Sequence, residues 1–329
     1  MTLELLDDVQ NYRRLFMDAL FWQPYVAAVM EKVRLPCNTV RGGIPGTCPT
    51  FIVDDAYVIK FFGRLFDGEK SYRVELHANQ LLRYQKDFPL PALIAQGKLF
   101  KDDGQWSWPY LIFEYLDGIS IGEAWENLLH EEKQAVSREM GIRVSALHAI
   151  SIEENTYFIP TWKNYWRFLK TQRSNLLTKK NKSGWLPSHL WKQLDDFLLP
   201  VDRLIDPQKK PHLIHADLTQ DHLLGTLKNS KWITSGLIDF GDAMVGDLYY
   251  ELIALHLDMF QGERELLSLF LDSYGFDEKA KSHFSRQAMS MTFLHKFGEE
   301  IIADLFSKKP SLIKLKTLEE LAEEIWGIH

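Results

Sequence analysis

His215-Ala216-Asp217-Leu218-Thr219-Gln220-Asp221-His222 and Ile238-Asp239-Phe240-Gly241-Asp242 hold the residue types in this chain most able to do chemistry. Each stretch follows a short apolar run of strand character, Pro211 to Ile214 and Trp232 to Ile238, and each run leads into a carboxylate. Two such runs, joined by a connecting segment, can bring Asp217 and Asp239 to one end of a small sheet, facing one cleft. Phosphoryl transfer uses a pair of this kind. One carboxylate orients a nucleophilic hydroxyl and takes its proton, and the other holds Mg²⁺ on the nucleotide. On that reading Asp217 is the catalytic residue and Asp239 the metal ligand.

A nucleotide also needs a cation for its phosphates. Lys60 stands in Tyr57-Val58-Ile59-Lys60-Phe61-Phe62, where Val58, Lys60 and Phe62 alternate to one face of a strand. A Lys among apolar neighbours must snorkel or find a counter-charge. Glu75, on the next helical stretch, supplies one. Gly42, Gly43 and Gly46 with Thr47 lie on a turn before the hairpin, where glycines let backbone N–H groups approach phosphate oxygens. Their spacing is not that of a G-x-x-x-x-G-K-[ST] loop. The apolar strand Pro109 to Leu116 has the character of a hinge whose backbone, at Glu114 to Leu116, meets a base edge.

The elements that must position these residues can be read from pattern. Leu3 to Lys32 reads as largely helical, and Glu69 to Lys86 as a helix. Thr50 to Val53 and Ala56 to Phe62 read as a hairpin with Asp54-Asp55 at its tip, and Leu93 to Leu99 and Tyr110 to Tyr115 as further strands around the turn Asp102-Asp103-Gly104. From Ile121 onward long helices dominate: Glu123 to Ile150 as one or two, Thr161 to Leu177 with Trp162, Tyr165, Trp166 and Leu169 on one face, Ser188 to Leu199 ended or kinked at Pro200, and Tyr249 to Met259. Lys179 to Gly184 reads as an exposed loop.

At 329 residues the chain is long enough for two lobes, and 46% hydrophobic with 25% charged residues describes an ordered globular protein. A formal charge of -7 argues against a nucleic-acid partner and suits a cationic one. Two cysteines, Cys37 and Cys48, form no C-x-x-C pair, which points to a reducing compartment. Met1 to Tyr12 lacks the basic start and apolar core of a secretory signal. No apolar run reaches the ~20 residues of a membrane span. The expectation is a cytoplasmic protein without a membrane partner; its oligomeric state is not read from the sequence.

With these residues assembled, the chain resembles the aminoglycoside phosphotransferase family, which shares the bilobal protein-kinase-like fold. Gly42 to Thr47, Lys60, Glu75, the His215 to His222 stretch and Ile238 to Phe240 fall where that family has its nucleotide turn, strand Lys, helix Glu, H-G-D-x-x-x-x-N and I-D-[FW]. The stretch from Trp232 to Leu252 looks most like the hygromycin B phosphotransferase branch. The resemblance spans roughly Val40 to Met259. It implies an α+β fold with a small β-rich N-lobe, residues 1–115, and a larger helical C-lobe, residues 116–329. It also implies Mg²⁺ and ATP, with GTP not distinguished, and a small-molecule hydroxyl as acceptor, most concretely on an aminoglycoside or aminocyclitol antibiotic. Asp242, Asp247, Glu251 and Asp258 are candidates to meet such a cation, the first three as substrate contacts and Asp242 foremost.

One departure matters: His222 stands where the family has a metal-binding Asn. Mg²⁺ prefers hard oxygen donors to imidazole. Either His222 still binds a metal, or Asp239 and water suffice, or Asp221 substitutes. Three alternatives therefore stand beside the antibiotic kinase. They are a kinase for an amino alcohol or sugar, a nucleotide-binding module without turnover, and a hydrolase using Asp217, His222, Asp239 and either His212 or His215 around a metal.

Overall fold

The computed structural model describes residues 3–85, 88–100, 106–152, 157–159, 161–179, 184–277 and 282–328. It packs as two compact units: Met1–Asn127 with Asp221–Ala243, and Leu128–Gln220 with Met244–His329. The functional division expected at 115/116 thus differs from this packing division, which also gives residues 116–127 and 221–243 to the first unit.

The first unit is built on a five-stranded antiparallel sheet of order β1-β2-β3-β5-β4, with β1 Val40–Gly42, β2 Thr50–Val53, β3 Tyr57–Phe61, β4 Leu93–Lys98 and β5 Pro109–Glu114. The period of two sorts β3. Ile59 and Phe61 face the core formed with the N-terminal helices, and Val58 and Phe62 pack on the other side with Leu111, Phe113, Tyr72 and Leu76. The N-terminal segment is helical but broken. Asp8 caps Val9–Leu15 and Asp18 caps Ala19–Lys32, each carboxylate accepting from backbone N–H groups of the first turn. Trp22, wholly buried, stacks on Phe61 at 4.8 Å and meets Trp108 edge-on at 5.3 Å, which fastens the second helix to the sheet. The helix Gly68–Leu82 carries Glu75.

A second, three-stranded antiparallel sheet, β6-β8-β9, completes this unit, with β6 Ile119–Ser120, β8 Leu223–Lys228 and β9 Lys231–Leu237. Here the sequence expectation needs correction. The segment between the two apolar runs is not a mere connection, because it contains β8, which turns into β9 through Asn229 and Ser230, both at positive φ. The two runs also do not share a sheet. β7, His212–Ile214, pairs with β10, Met244–Gly246, while β9 pairs with β8.

The second unit is otherwise helical. His130–His148 packs against Arg264–Tyr274, and Gly141 lets them approach: a Cβ there would stand 2.5 Å from the Phe270 carbonyl oxygen. The helix expected over Ser188 to Leu199 is two short ones, Ser188–Trp191 and Leu194–Phe197. Pro200 does not simply end them. It stands at the N-cap of Val201–Leu204, where a fixed φ and a missing N–H cost nothing. On the helix Trp162–Thr178, Tyr165 and Leu169 are buried but Trp166 is 36% exposed, so the four aromatic and apolar positions do not form one buried stripe. The expected turn at 102–104 and most of the loop at 179–184 fall outside the described residues, as does Lys86. Among the described residues no helix is long and apolar enough to cross a membrane.

Candidate active site

In the first unit the residues singled out from sequence meet around one ammonium. β3 aims Lys60 toward the helix that carries Glu75, and Nζ lies 2.8 Å from Glu75 Oε2 and 2.7 Å from Asp239 Oδ1. Lys60 is 7% and Glu75 3% exposed, whereas the Asp239 side chain keeps 36% of its surface. One cation therefore serves two carboxylates. Burial by itself would lower the Lys60 pKa, but Asp239 and Glu75 outweigh it and hold it well above the ordinary value. Burial pushes Glu75 up to about 7 against the pull of Lys60, and the nearby Asp239 adds to the rise.

Local backbone explains how Asp239 reaches this place. It stands at φ +62°, in the left-handed region that Asp tolerates better than most residues, and its Oδ1 accepts from the Gly241 N–H at 3.3 Å. A Cβ on Gly241 would sit 3.1 Å from that oxygen and 3.6 Å from Glu75 Oε2, so a larger residue crowds the cluster. Phe240 is buried and packs edge-on against Phe88.

His222 Nε2 lies 3.9 Å from Asp239 Oδ2, and the His222 carbonyl accepts from Ile238 N–H at 3.0 Å. The imidazole thus stands beside the expected metal carboxylate. The hard-oxygen donor set is Asp239 itself, with one partly exposed carboxylate. Mg²⁺ commonly uses one or two carboxylates and takes its other ligands from phosphates and water, so Asp239 fits it as the hard donor, with the softer His222 imidazole beside it. Asp221 is exposed. Among the described residues no group of three or more His, Cys, Asp or Glu side chains forms a ready metal cage.

The turn 43–49 is tied at its base. Gly43 N–H donates to the Thr50 carbonyl at 2.9 Å, Thr50 Oγ1 donates to the Cys48 carbonyl at 3.0 Å, and Phe61 N–H to the Pro49 carbonyl at 2.9 Å. Nothing lies within 4 Å of a Cβ placed on Gly46. The Thr47 carbonyl accepts from the Tyr12 hydroxyl at 2.6 Å, a contact with no sequence signal beyond an aromatic in a helix. At the hinge, the Glu114 amide is spent on the Ala92 carbonyl and the Tyr115 amide on that of Ala56, both at 2.9 Å. Of the hinge residues Glu114 to Leu116, Leu116 is the one whose amide is not committed to those strand bonds. Its side chain packs over Gly236.

In the second unit β7 delivers the loop His215–Gln220. His215 is fully buried, and its Nδ1 accepts from the Asp217 N–H at 3.3 Å. Ala216 stands at φ +67°. Glu251 is wholly buried, and its two oxygens accept from the His215 and Ala216 N–H groups at 2.9 and 2.6 Å. The far end of the loop is held by Asp258, whose Oδ1 accepts from Gln220 N–H at 2.8 Å. Asp258 lies in a π-turn, Leu255–Met259, which continues the helix Leu248–Ala254 and closes with Phe260 N–H on the Leu255 carbonyl at 2.9 Å.

Two substrate contacts expected from sequence are corrected here. Glu251 spends both oxygens on the backbone of the loop. Asp247 is 9% exposed and caps the next helix, accepting from the Tyr250 N–H and the Tyr165 hydroxyl, each at 3.1 Å. Burial raises Asp247 to about 6. It also raises Glu251 to about 7, while the two backbone bonds pull that value down. Asp242 alone of the three is exposed.

Comparison with known proteins places this geometry. The model of the phosphotransferase enzyme family matches residues 49–284. Lysine-specific demethylase JMJ21 of Arabidopsis thaliana is 21% identical over 301 residues, a match that covers 76% of this chain and 31% of that protein. The chain therefore spans less than a third of the length of that curated relative. Among solved structures, the GDP and kanamycin complex of APH(2")-IIia superposes with a TM-score of 0.67 at 19% identity, over 92% of this chain and 97% of the other. The microcompartment-associated aminopropanol kinase does so with a TM-score of 0.55 at 12% identity, over 92% and 98%. These likenesses show a shared α+β, kinase-like fold. With more than half its length matched by the family model, the chain belongs to the phosphotransferase enzyme family.

Proposed function

We propose that the chain is a small-molecule O-kinase that moves the γ-phosphoryl group of Mg²⁺–ATP, or Mg²⁺–GTP, to an acceptor hydroxyl. The observation that carries this reading is the buried Lys60 with Glu75 on one side and Asp239 on the other. Lys60, fixed by Glu75, is the phosphate cation. The turn with Gly43, Gly46 and Thr47 offers backbone N–H groups to the phosphates, and the Leu116 backbone is the base contact. Asp239 would hold Mg²⁺, which when bound neutralises charge on the β- and γ-phosphate oxygens. Asp217 orients the acceptor hydroxyl and takes its proton. The new bond joins that oxygen to the γ-phosphorus, the bond from the γ-phosphorus to the bridging oxygen breaks, and the diphosphate leaves with the electron pair. Glu251 and Asp258 keep the Asp217 loop in shape from either end.

For the acceptor, two structural neighbours suggest a class: one is a complex with kanamycin and the other is an aminopropanol kinase. Kanamycin and aminopropanol both carry hydroxyls close to an ammonium group. We therefore read the substrate as a hydroxyl on an amine-bearing small molecule. An aminocyclitol such as hygromycin B is the first candidate from the sequence resemblance, and a metabolic amino alcohol is the second. Exposed Asp242 suits an ammonium contact.

The deciding experiment follows labelled γ-phosphate from Mg²⁺–ATP and Mg²⁺–GTP into a panel holding hygromycin B, kanamycin and short amino alcohols. Asp217→Asn runs beside the wild type. Expected is transfer to at least one amine-bearing acceptor, lowered at least about a hundredfold in the variant, in line with loss of a general base. Nucleotide binding without transfer to any acceptor would favour the non-catalytic module, and absence of both would overturn the kinase reading.

A further inference from the structure

The residues before position 49 lie outside the region matched by the family model, yet they reach the nucleotide half of the site. Tyr12 is the point of contact. It sits in the helix Val9–Leu15, is 3% exposed, and belongs to the core under the five-stranded sheet. The helix is itself held in place, because the Trp22 indole N–H donates to the Leu15 carbonyl at 3.0 Å and Trp22 is locked against Phe61. From this fixed base the Tyr12 hydroxyl donates to the Thr47 carbonyl at 2.6 Å, in the turn proposed for the phosphates.

The same ring touches a second functional segment. It meets Phe66 edge-on at 5.4 Å, and a Cβ on Gly63 would stand 3.1 Å from Tyr12 Cε2. Gly63 to Asp67 links the strand that carries Lys60 to the helix that carries Glu75. Phe66 and Asp67 are both at φ +56°, a conformation that packing must maintain for residues with a Cβ. A Cβ on Gly68 would fall 2.0 Å from the Gly63 carbonyl oxygen, so this link is also tightly folded on itself.

We infer that Tyr12 is a positioning residue for nucleotide binding: its hydroxyl sets the phosphate turn through the Thr47 carbonyl, and its ring supports the link between Lys60 and Glu75. The inference rests on the kinase reading above for its ligand, though not for the brace itself. The hydroxyl bond is separable from the ring packing. Tyr12→Phe removes one and keeps the other, so the fold is preserved. A merely structural Tyr12 would lower global stability and leave the turn's own opening and the nucleotide affinity alone.

The test uses the full chain in two measurements. Amide hydrogen exchange over residues 43–50 is followed without ligand, and Mg²⁺–ATP and Mg²⁺–GTP dissociation constants are measured by calorimetry. Tyr12→Phe is expected to exchange about fivefold faster in this turn and to bind nucleotide about fivefold more weakly, the scale of one net hydrogen bond. Exchange elsewhere in the sheet stays unchanged, and Arg13→Ala, an exposed neighbour on the same helix, matches wild type in both measurements. If kinase turnover is found, the loss falls on KM for the nucleotide rather than on kcat. Unchanged exchange at 43–50 in Tyr12→Phe overturns the brace whatever the nucleotide does. Faster exchange with an unchanged dissociation constant overturns its role in nucleotide binding. A wild type that binds neither nucleotide overturns the kinase reading, while the exchange data still decide whether Tyr12 holds the turn.

Discussion

Ala216 carries a Cβ at φ +67°, immediately before the proposed catalytic carboxylate, where the resembled family pattern has Gly. For an L-residue that conformation costs roughly 1–2 kcal/mol, and the Glu251 oxygen on its N–H helps to hold it there. Ala216→Gly should therefore raise the unfolding free energy by about 1 kcal/mol, partly offset by the added freedom of the unfolded chain. Urea titration of the two proteins checks this, and an unchanged or lower midpoint would show that the loop carries no such strain. Lys60, Glu75 and Asp239 stand out in the sequence because charged types among apolar neighbours need counter-charges, and the structure gathers these three around one ammonium. Glu251 was legible as a residue but not as a role. An acidic side chain near a motif reads the same whether it faces a ligand or caps two backbone N–H groups, and only burial separates the two. Tyr12 left no mark, since its hydroxyl meets a main-chain carbonyl and nothing in residue type encodes such a partner.

Pattern at the level of elements gave β2, β3, β5 and the helix bearing Glu75 with small errors at their ends: β2 alternates in burial and the helix buries one face, while β5 is a continuous apolar run buried on both faces. β8 escaped because Leu223–Lys228 mixes apolar, small and charged residues, and its turn is Asn229-Ser230 rather than Asn-Gly. Losing β8 produced the larger error of seating β7 and β9 in one sheet. The recovered hairpin has its own consequence for the hinge. A Cβ on Gly236, in β9, would lie 2.1 Å from Leu116 Cδ1 and 3.6 Å from the Pro89 carbonyl oxygen. The near atom ends a flexible side chain, so Gly236→Ala is expected to fold, at a cost under about 3 kcal/mol, with Leu116 displaced. Nucleotide affinity should fall while Lys60 and Glu75 remain paired. Calorimetric titration with Mg²⁺–ATP tests this, and an affinity equal to wild type would remove Leu116 from the base contact.

The buried titratable groups of the second unit oppose one another across the whole chain's pH response. Asp247 and Glu251 have raised pKa values, so the stability they contribute is full below their unfolded values near 4 and is lost as pH rises through about 6 and about 7. Burial lowers His148 well below the ordinary value and His256 and His295 to about 4. Their contribution is full above the unfolded value of 6.5 and is lost as pH falls. Glu75 of the first unit is raised to about 7 as well, so three carboxyls stand against the three histidines and nearly cancel them from about pH 4.5 to about 6. Above about pH 6.5 the histidines are neutral in both states, and net stability should fall toward about pH 7 as Glu75 and Glu251 ionise. Urea midpoints across that range provide the check, with His256→Gln, which keeps a donor for the Ile325 carbonyl, tilting the acid side upward. A midpoint that climbs steadily from about pH 6 to about pH 7.5 would contradict this balance. The π-turn at Leu255–Met259 has a different kind of reach. It holds one residue more than an α-turn would and stands at the C-terminal end of its helix, ahead of the turn that leads to Glu263. With one residue fewer there, the helix end would close as an ordinary α-turn, and Asp258 would stand roughly 100° around the axis from the Gln220 N–H it now accepts from.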